Sequence, residues 1–245
     1  MTYEKQFTIS VIIPAYNEEK TILEILEKVS EQIIPNVKFE IIVVDDGSTD
    51  KTQDILLRSP HLYDKFLKNE KNGGKGLAVI NALTQANGDY ILFQDADLEY
   101  DPNDYDKLIK PVVLFDADIV IGTRLKGSQI TRVSYFWHKI GNILISTYFN
   151  ILYGTTFTDI YSCYVLYKKD LVDPTSLKKH RWDQQAEIIC EIVANGSKFY
   201  EVPINYYGRS YDEGKKIKPY HVIPVFWTII IKRISRLFKL KKGKY

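Results

Sequence analysis

The sequence predicts an α/β fold in which a mostly parallel central sheet is flanked by helices and followed by a C-terminal amphipathic helical segment. Three observations predict it. Short β-branched and aromatic runs alternate with helical patterns, the rhythm of βαβ units with right-handed crossovers. The runs are nearly free of charge, as strands buried on both faces of a parallel sheet must be. Three of them end in polar clusters, at Pro14 to Glu19, Asp45 to Asp50 and Asp95 to Glu99. Ligands of open parallel sheets bind beyond the carboxyl ends of the strands, so these clusters share one functional edge.

In chain order, Phe7 to Ile13 is an apolar strand closed by Pro14, and Tyr16-Asn17-Glu18-Glu19 leads into a helix with Ile22, Leu23, Ile25, Leu26 and Val29 on its apolar face. A second strand, Phe39 to Val44, ends in Asp45-Asp46-Gly47-Ser48-Thr49-Asp50. Gly47 permits a tight turn there, and Ser48, Thr49 or Asp50 caps the helix of Ile55 and Leu56. Asn69 to Leu77, NEKNGGKGL, is a glycine-rich basic turn before a helix at Val79 to Leu83. It reads equally as a plain flexible turn or as a loop whose Lys75 reaches a phosphate. Asn87-Gly88-Asp89 stops that helix.

Tyr90 to Phe93 is then an uncharged strand running straight into Asp95, Asp97 and Glu99. On an extended backbone Asp95 and Asp97 project to one side and Glu99 continues the parity. Hard oxygen ligands so placed suit Mg²⁺ or Mn²⁺ held together with substrate phosphates. An isolated D-x-D is as readily a polar turn; its place on the shared edge favours the metal site.

The second half departs from the alternation. Asp116 to Gly122 reads as a strand, followed by Arg124 and Arg132, whose planar forks match phosphate. Trp137, Ile140, Ile143, Leu144 and Tyr148 recur at helical spacing and are expected to pack a core. Tyr161 to Tyr167 reads as a strand, Trp182 to Val193 as a helix, and Glu201 to Tyr206 as a last strand before a basic loop with Arg209 and Lys216. Val222 to Ile231 is apolar but only ten residues long, short of the roughly 18 to 20 needed to cross a bilayer. The basic residues after it, from Lys232 to Lys244, alternate with Ile234, Leu237, Phe238 and Leu240, a pattern suited to an anionic membrane surface or to packing on the domain.

The chain has 245 residues, a net charge of +2 and 45% hydrophobic residues, the size of one domain (1–220) with an appended basic segment (221–245). Balanced charge argues against nucleic acid as a partner. Cys163 and Cys190 lack C-x-x-C spacing and read as buried thiols of a reducing compartment, the cytoplasm by default. The first ten residues hold no apolar run of a secretory signal. Neither G-x-G-x-x-G nor G-x-x-x-x-G-K-[ST] occurs, so the sequence supports neither a dinucleotide fingerprint nor a P-loop.

Five stretches taken together, VIIPAYNEE (11–19), VVDDGSTD (43–50), NGGKGLA (72–78), GDYILFQDADLE (88–99) and IGTR (121–124), resemble a family 2 glycosyltransferase of the Rossmann-like GT-A type. Within it the chain is similar to dolichol-phosphate mannosyltransferases and other polyprenyl-phosphate glycosyltransferases. The resemblance implies a UDP- or GDP-sugar donor, inversion at the anomeric carbon, and base or ribose contacts from Pro14, Tyr16, Glu18, Asp45 and Asp46. It implies that Asp95-Ala96-Asp97 holds the cation on the donor pyrophosphate and that Arg124 and Arg132 contact an acceptor lipid phosphate. Arg209 and Lys216, in a segment similar to the family's R-x-x-G-x-S-K, would close over the donor or acceptor phosphates.

The chain departs from the family where Ser162-Cys163-Tyr164 replaces C-G-F. It also departs at Trp182 to Glu187, which lacks the Glu-Asp pair whose Asp is the general base of many hydroxyl-glycosylating relatives. A hydroxyl must lose a proton to attack, whereas a monophosphate is already anionic at neutral pH, with a second pKa near ~6. The expected acceptor is therefore a polyprenyl phosphate, reached by an enzyme peripheral on the cytoplasmic face of a membrane. The alternatives are transfer to a hydroxyl with Asp183 or Asp159 as base, and a catalytically silent nucleotide-sugar-binding subunit.

Overall fold

The computed structural model describes residues 6–127, 136–179, 181–209 and 222–242. In chain order its main elements are β1 (Phe7–Ala15), α1 (Ile22–Ser30), β2 (Val37–Asp45), α2 (Thr52–Arg58), β3 (Lys65–Lys68), α3 (Lys75–Gln85), β4 (Tyr90–Phe93), α4 (Tyr105–Phe115), β5 (Ile119–Thr123), α5 (Phe136–Tyr153), β6 (Val165–Lys168), α6 (Gln184–Asn195), β7 (Phe199–Pro203) and α7 (Val222–Lys242). The seven strands form one sheet in the order β3-β2-β1-β4-β6-β5-β7. Only β6 runs antiparallel, against β4 and β5, so the sheet is mostly parallel as its sequence predicts.

The central strands are apolar because both faces are covered: Ile9, Val11, Ile12 and Ile13 of β1 and Ile91 and Leu92 of β4 are wholly buried. β1 continues through Pro14, paired in register with Val44, rather than ending there. Pro14 falls on the side of β1 that faces β4, whose pairing stops opposite Ile12, so its missing N–H costs no ladder bond.

Two elements lie where the sequence suggested none. β3 is four residues with a lysine at each end. α4 holds Pro111 in its interior, a residue that ordinarily breaks a helix. β6 is shorter than the expected Tyr161 to Tyr167, because the Cys163 N–H is drawn to the Tyr100 hydroxyl at 3.0 Å. β7 ends at Pro203, and Tyr206 instead forms an isolated bridge with Tyr100.

The expectation for α5 is overturned in part. Trp137 is 77% exposed and Leu144 58%, with Ile143 also exposed, and the helix buries Ile145, Ser146 and Phe149 instead. Tyr148 does pack, edge-on to Phe226 at 4.8 Å. α7 packs against α5 and α6, burying Val225, Thr228 and Ile229 and exposing Ile223, Trp227, Ile231, Ile234 and Phe238. Lys232 reaches Glu187 at 2.7 Å and Glu191 at 2.8 Å, Arg236 donates to Asn195 at 2.9 Å, and Arg233 lies over the Tyr153 ring at 5.4 Å. Among the described residues no helix is long and apolar enough to cross a membrane.

Candidate active site

Four loops meet beyond the carboxyl ends of β1, β2, β3 and β4. The first two are laced together: the Asn17 N–H donates to Ser48 Oγ at 3.0 Å, Thr49 N–H to Asn17 Oδ1 at 2.8 Å and Glu18 N–H to Thr52 Oγ1 at 2.9 Å. Asp45 is wholly buried. Its Oδ1 accepts from Ser48 N–H at 3.0 Å, while Oδ2 has no hydrogen-bond partner. A buried carboxylate oxygen left open is costly unless a donor arrives to meet it, which fits an N–H of a base or a hydroxyl of a ribose.

Asp46 does something its sequence position did not announce. It accepts from Asn69 Nδ2 at 2.6 Å and from the N–H groups of Gly73 and Gly74 at 3.0 and 2.9 Å, fixing the third, glycine-rich loop. The loops touch closely at Gly47, where φ is +70° and a Cβ would lie 2.7 Å from the Lys71 carbonyl carbon. The third loop thereby delivers Lys75, the first residue of α3, onto Asp95 as an ion pair. Desolvation alone would depress the Lys75 ammonium, but the adjacent Asp95 charge outweighs it and raises it above lysine's ordinary value.

The fourth loop corrects the extended-backbone expectation. The chain turns at Ala96 and Asp97, with Leu98 at φ +64° and the Glu99 N–H on Asp97 Oδ1 at 3.1 Å. Wholly buried Gln94 braces the turn. Its amide nitrogen donates to the carbonyls of Asp95 and Tyr100, and its oxygen accepts from the Tyr105 and Tyr164 hydroxyls, both at 2.8 Å.

Asp95 and Asp97 remain within reach of solvent, their side chains each 23% exposed. Glu99, expected as a third metal ligand, is turned elsewhere: it accepts from the Tyr206 hydroxyl at 2.7 Å and from Arg209 N–H at 2.6 Å. Among the described residues no cluster of three or more His, Cys, Asp or Glu is placed to hold a metal. Two hard carboxylates nevertheless fit Mg²⁺ or Mn²⁺, which take their other ligands from phosphates and water. Cys163 lies beside Asp95, and burial together with that charge pushes its thiol well above the ordinary range, so it stays protonated.

Arg209 bridges Asp97 at 3.0 Å and Glu18 at 3.2 Å, joining the first and fourth loops. Arg124, at the end of β5, turns its fork onto buried Asp159: Nε to Oδ2 and Nη2 to Oδ1, both at 2.7 Å. The guanidinium lies 5.1 Å from the centre of the Tyr206 ring. Glu201 in turn accepts from Thr158 N–H at 2.7 Å and Asp159 N–H at 3.3 Å. Asp159, read from sequence as a possible base, is thus the counter-charge of Arg124. Asp183 accepts from the Thr228 hydroxyl at 3.2 Å and pairs with Lys179 at 3.3 Å. Pro14 lies in the last residues of β1, Tyr16 in the first loop after it and Ala96 in the fourth. Arg132 and Lys216 lie outside the described residues.

A seven-stranded, mostly parallel sheet with two carboxylates and several basic side chains at its carboxyl edge is the layout of a glycosyltransferase of the GT-A fold. Residues 10–174 match the family model described as Glycosyl transferase family 2, and the chain belongs to that family. It is 30% identical over 204 residues to the low-salt glycan biosynthesis hexosyltransferase Agl6 of Haloferax volcanii, covering 82% of this chain and 48% of that protein. It is 28% identical to the UDP-N-acetylglucosamine--dolichyl-phosphate N-acetylglucosaminyltransferase of Methanococcus voltae, over 96% and 97% of the two chains. To the dolichol-phosphate mannosyltransferase of Pyrococcus furiosus it is 30% identical, over 84% of this chain and 58% of that one. The chain thus spans about half to nearly all of these relatives. Among solved structures, Mycobacterium tuberculosis glucosyl-3-phosphoglycerate synthase in complex with Mn²⁺, UDP and glucosyl-3-phosphoglycerate superposes with a TM-score of 0.69 at 21% identity, over 92% and 80% of the two chains.

Proposed function

We propose that this glycosyltransferase moves a sugar, with inversion and with Mg²⁺ or Mn²⁺, from a UDP- or GDP-sugar to a polyprenyl phosphate. The observation that carries the acceptor is the state of the carboxylates. Both oxygens of Asp159 are held by Arg124, so that candidate base is committed, and Asp183 has its Oδ2 engaged by Thr228 and Lys179. A phosphate oxygen needs no base: it bonds to the anomeric carbon as the bond from that carbon to the diphosphate breaks. Two relatives bear names that specify dolichyl or dolichol phosphate, which supports the same reading. Asp45 meets the base or ribose through its open oxygen, Pro14 at the end of β1 and Tyr16 and Glu18 in the loop after it lie at the same edge, and Asp95 and Asp97 hold the cation. When bound, that cation neutralises charge on the departing diphosphate. Arg124, with Arg132, receives the acceptor phosphate, while Lys75, Arg209 and Lys216 serve the phosphates. Asp46 and Glu99 position these loops.

The acceptor is a membrane lipid, and the exposed apolar stripes of α5 and α7 provide a face for peripheral attachment. The test is transfer from radiolabelled UDP- and GDP-sugars to polyprenyl phosphate and to free sugars. We expect labelled lipid product only, its formation abolished by EDTA and lowered about 100-fold or more by Asp97→Asn. Full turnover in excess EDTA would refute the metal assignment.

A further inference from the structure

Each carboxylate assigned to the divalent cation already carries a cation of the protein. Asp95 pairs with Lys75, and Asp97 with Arg209 at 3.0 Å. The two basic side chains come from separate parts of the chain, and each is delivered by its own tether. Asp46 holds the Gly73 and Gly74 N–H groups immediately before Lys75, and Glu99 holds the Tyr206 hydroxyl and the backbone N–H of Arg209 itself. Two tethers that converge on two carboxylates make the pairing a built feature of the site.

We propose that Lys75 and Arg209 are resident counter-ions of Asp95 and Asp97, displaced by the divalent cation only when it enters together with the donor diphosphate, which takes over both basic side chains. This rests on the reading of the site as a metal and sugar-nucleotide site. The argument is one of charge. Two carboxylates and two basic groups balance. A divalent cation alone sets two extra positive charges beside Lys75 and Arg209, takes from Lys75 its pair with Asp95 and leaves Arg209 only its pair with Glu18, a costly arrangement. A sugar nucleotide alone sets two ionised phosphates against Asp95 and Asp97. The cation and the sugar nucleotide together are neutral and leave the balance as it was. Each ligand therefore raises the affinity for the other, by the same factor.

The test is Mn²⁺ binding followed by the electron paramagnetic resonance of free Mn²⁺, with and without UDP and with no acceptor present, so that turnover plays no part. For the unaltered protein, UDP is expected to tighten Mn²⁺ binding about 10-fold or more. Arg209→Met and Lys75→Met are expected to tighten binding of Mn²⁺ alone by roughly 5-fold and to reduce the gain from UDP. Lys28→Met, which removes only an exposed pair with Glu24 on α1, should change neither. Thermal melts by circular dichroism establish that the variants are folded. Equal Mn²⁺ affinity with and without UDP, or Met variants that leave the affinity for Mn²⁺ alone unchanged, would overturn the counter-ion proposal while leaving the donor site standing. Failure of UDP and Mn²⁺ to bind in any combination would overturn the donor-site reading as well.

Discussion

Arg124 shows how a single side chain is shared between fold and chemistry. Its guanidinium is raised well above arginine's ordinary range, desolvation being outweighed by Asp159, so it is permanently charged and half committed. Arg124→Ala leaves buried Asp159 without its counter-charge, holding only the backbone N–H of residue 124, and we expect a loss of about 3 kcal/mol of stability, whatever the acceptor. The informative variant is the double Arg124→Met, Asp159→Asn. It should recover most of that stability in urea titrations yet transfer to polyprenyl phosphate as poorly as the single variant. Recovery of both would make Arg124 purely structural.

Away from the site, Glu40 joins the other end of the sheet. It accepts from Ser10 Oγ at 2.5 Å and from Asn87 N–H at 2.8 Å, and pairs with Lys65 at 2.8 Å. Burial pushes its carboxyl up, but Lys65, Ser10 and Asn87 together hold it at about 2 against an ordinary 4.5. Because the folded value is the lower one, the stabilisation is complete above pH 4.5 and is lost as pH falls toward 2. Glu40→Gln should cost about 2 kcal/mol at pH 7 and flatten the acid limb of a stability profile across that window. An unchanged acid limb would dismiss the assignment.

At the scale of elements, legibility followed local pattern. β4 was readable to the residue because an uncharged run met an acidic cluster, and β1 and β2 because apolar runs met turn chemistry. β3 and α4 were not: Lys65 to Lys68 is too short and too charged for a period, and Pro111 conceals a helix whose stability comes from packing on β5. The face of α5 was misread because periodicity reports an apolar stripe without saying what covers it. The same helices carry the membrane prediction. Lys232, Arg233 and Arg236 are engaged with the domain, so attachment rests more on the apolar stripe of α5 and α7 than a count of basic residues suggests. Trp137→Glu and Trp227→Glu, both at well-exposed positions, should each reduce flotation with anionic vesicles several-fold, with melting behaviour preserved. Equal flotation of both variants and the parent protein would exclude this face.

At the scale of the whole molecule, the site is an assembly of loops that are far apart in sequence, and that governs what sequence could reveal. The placement of Asp45, Asp95 and Asp97 at one sheet edge was legible because each closes or follows a strand there. The Asp159–Arg124 pair, the Asp46 tether and the Glu99–Tyr206 tether were not, since each joins segments 23 or more residues apart and only the fold brings them together. Under the proposed function, those contacts serve an enzyme that clamps anions rather than one that removes a proton.

The measurement that tests this most directly compares one lipid chain in two forms, polyprenyl monophosphate and the matching polyprenol, as acceptors under identical conditions, with products weighed by mass spectrometry. The account predicts a glycosyl phosphate from the first, none from the second, and full activity of Asp183→Asn. Transfer to the polyprenol at a matching rate, or its abolition by Asp183→Asn, would contradict it.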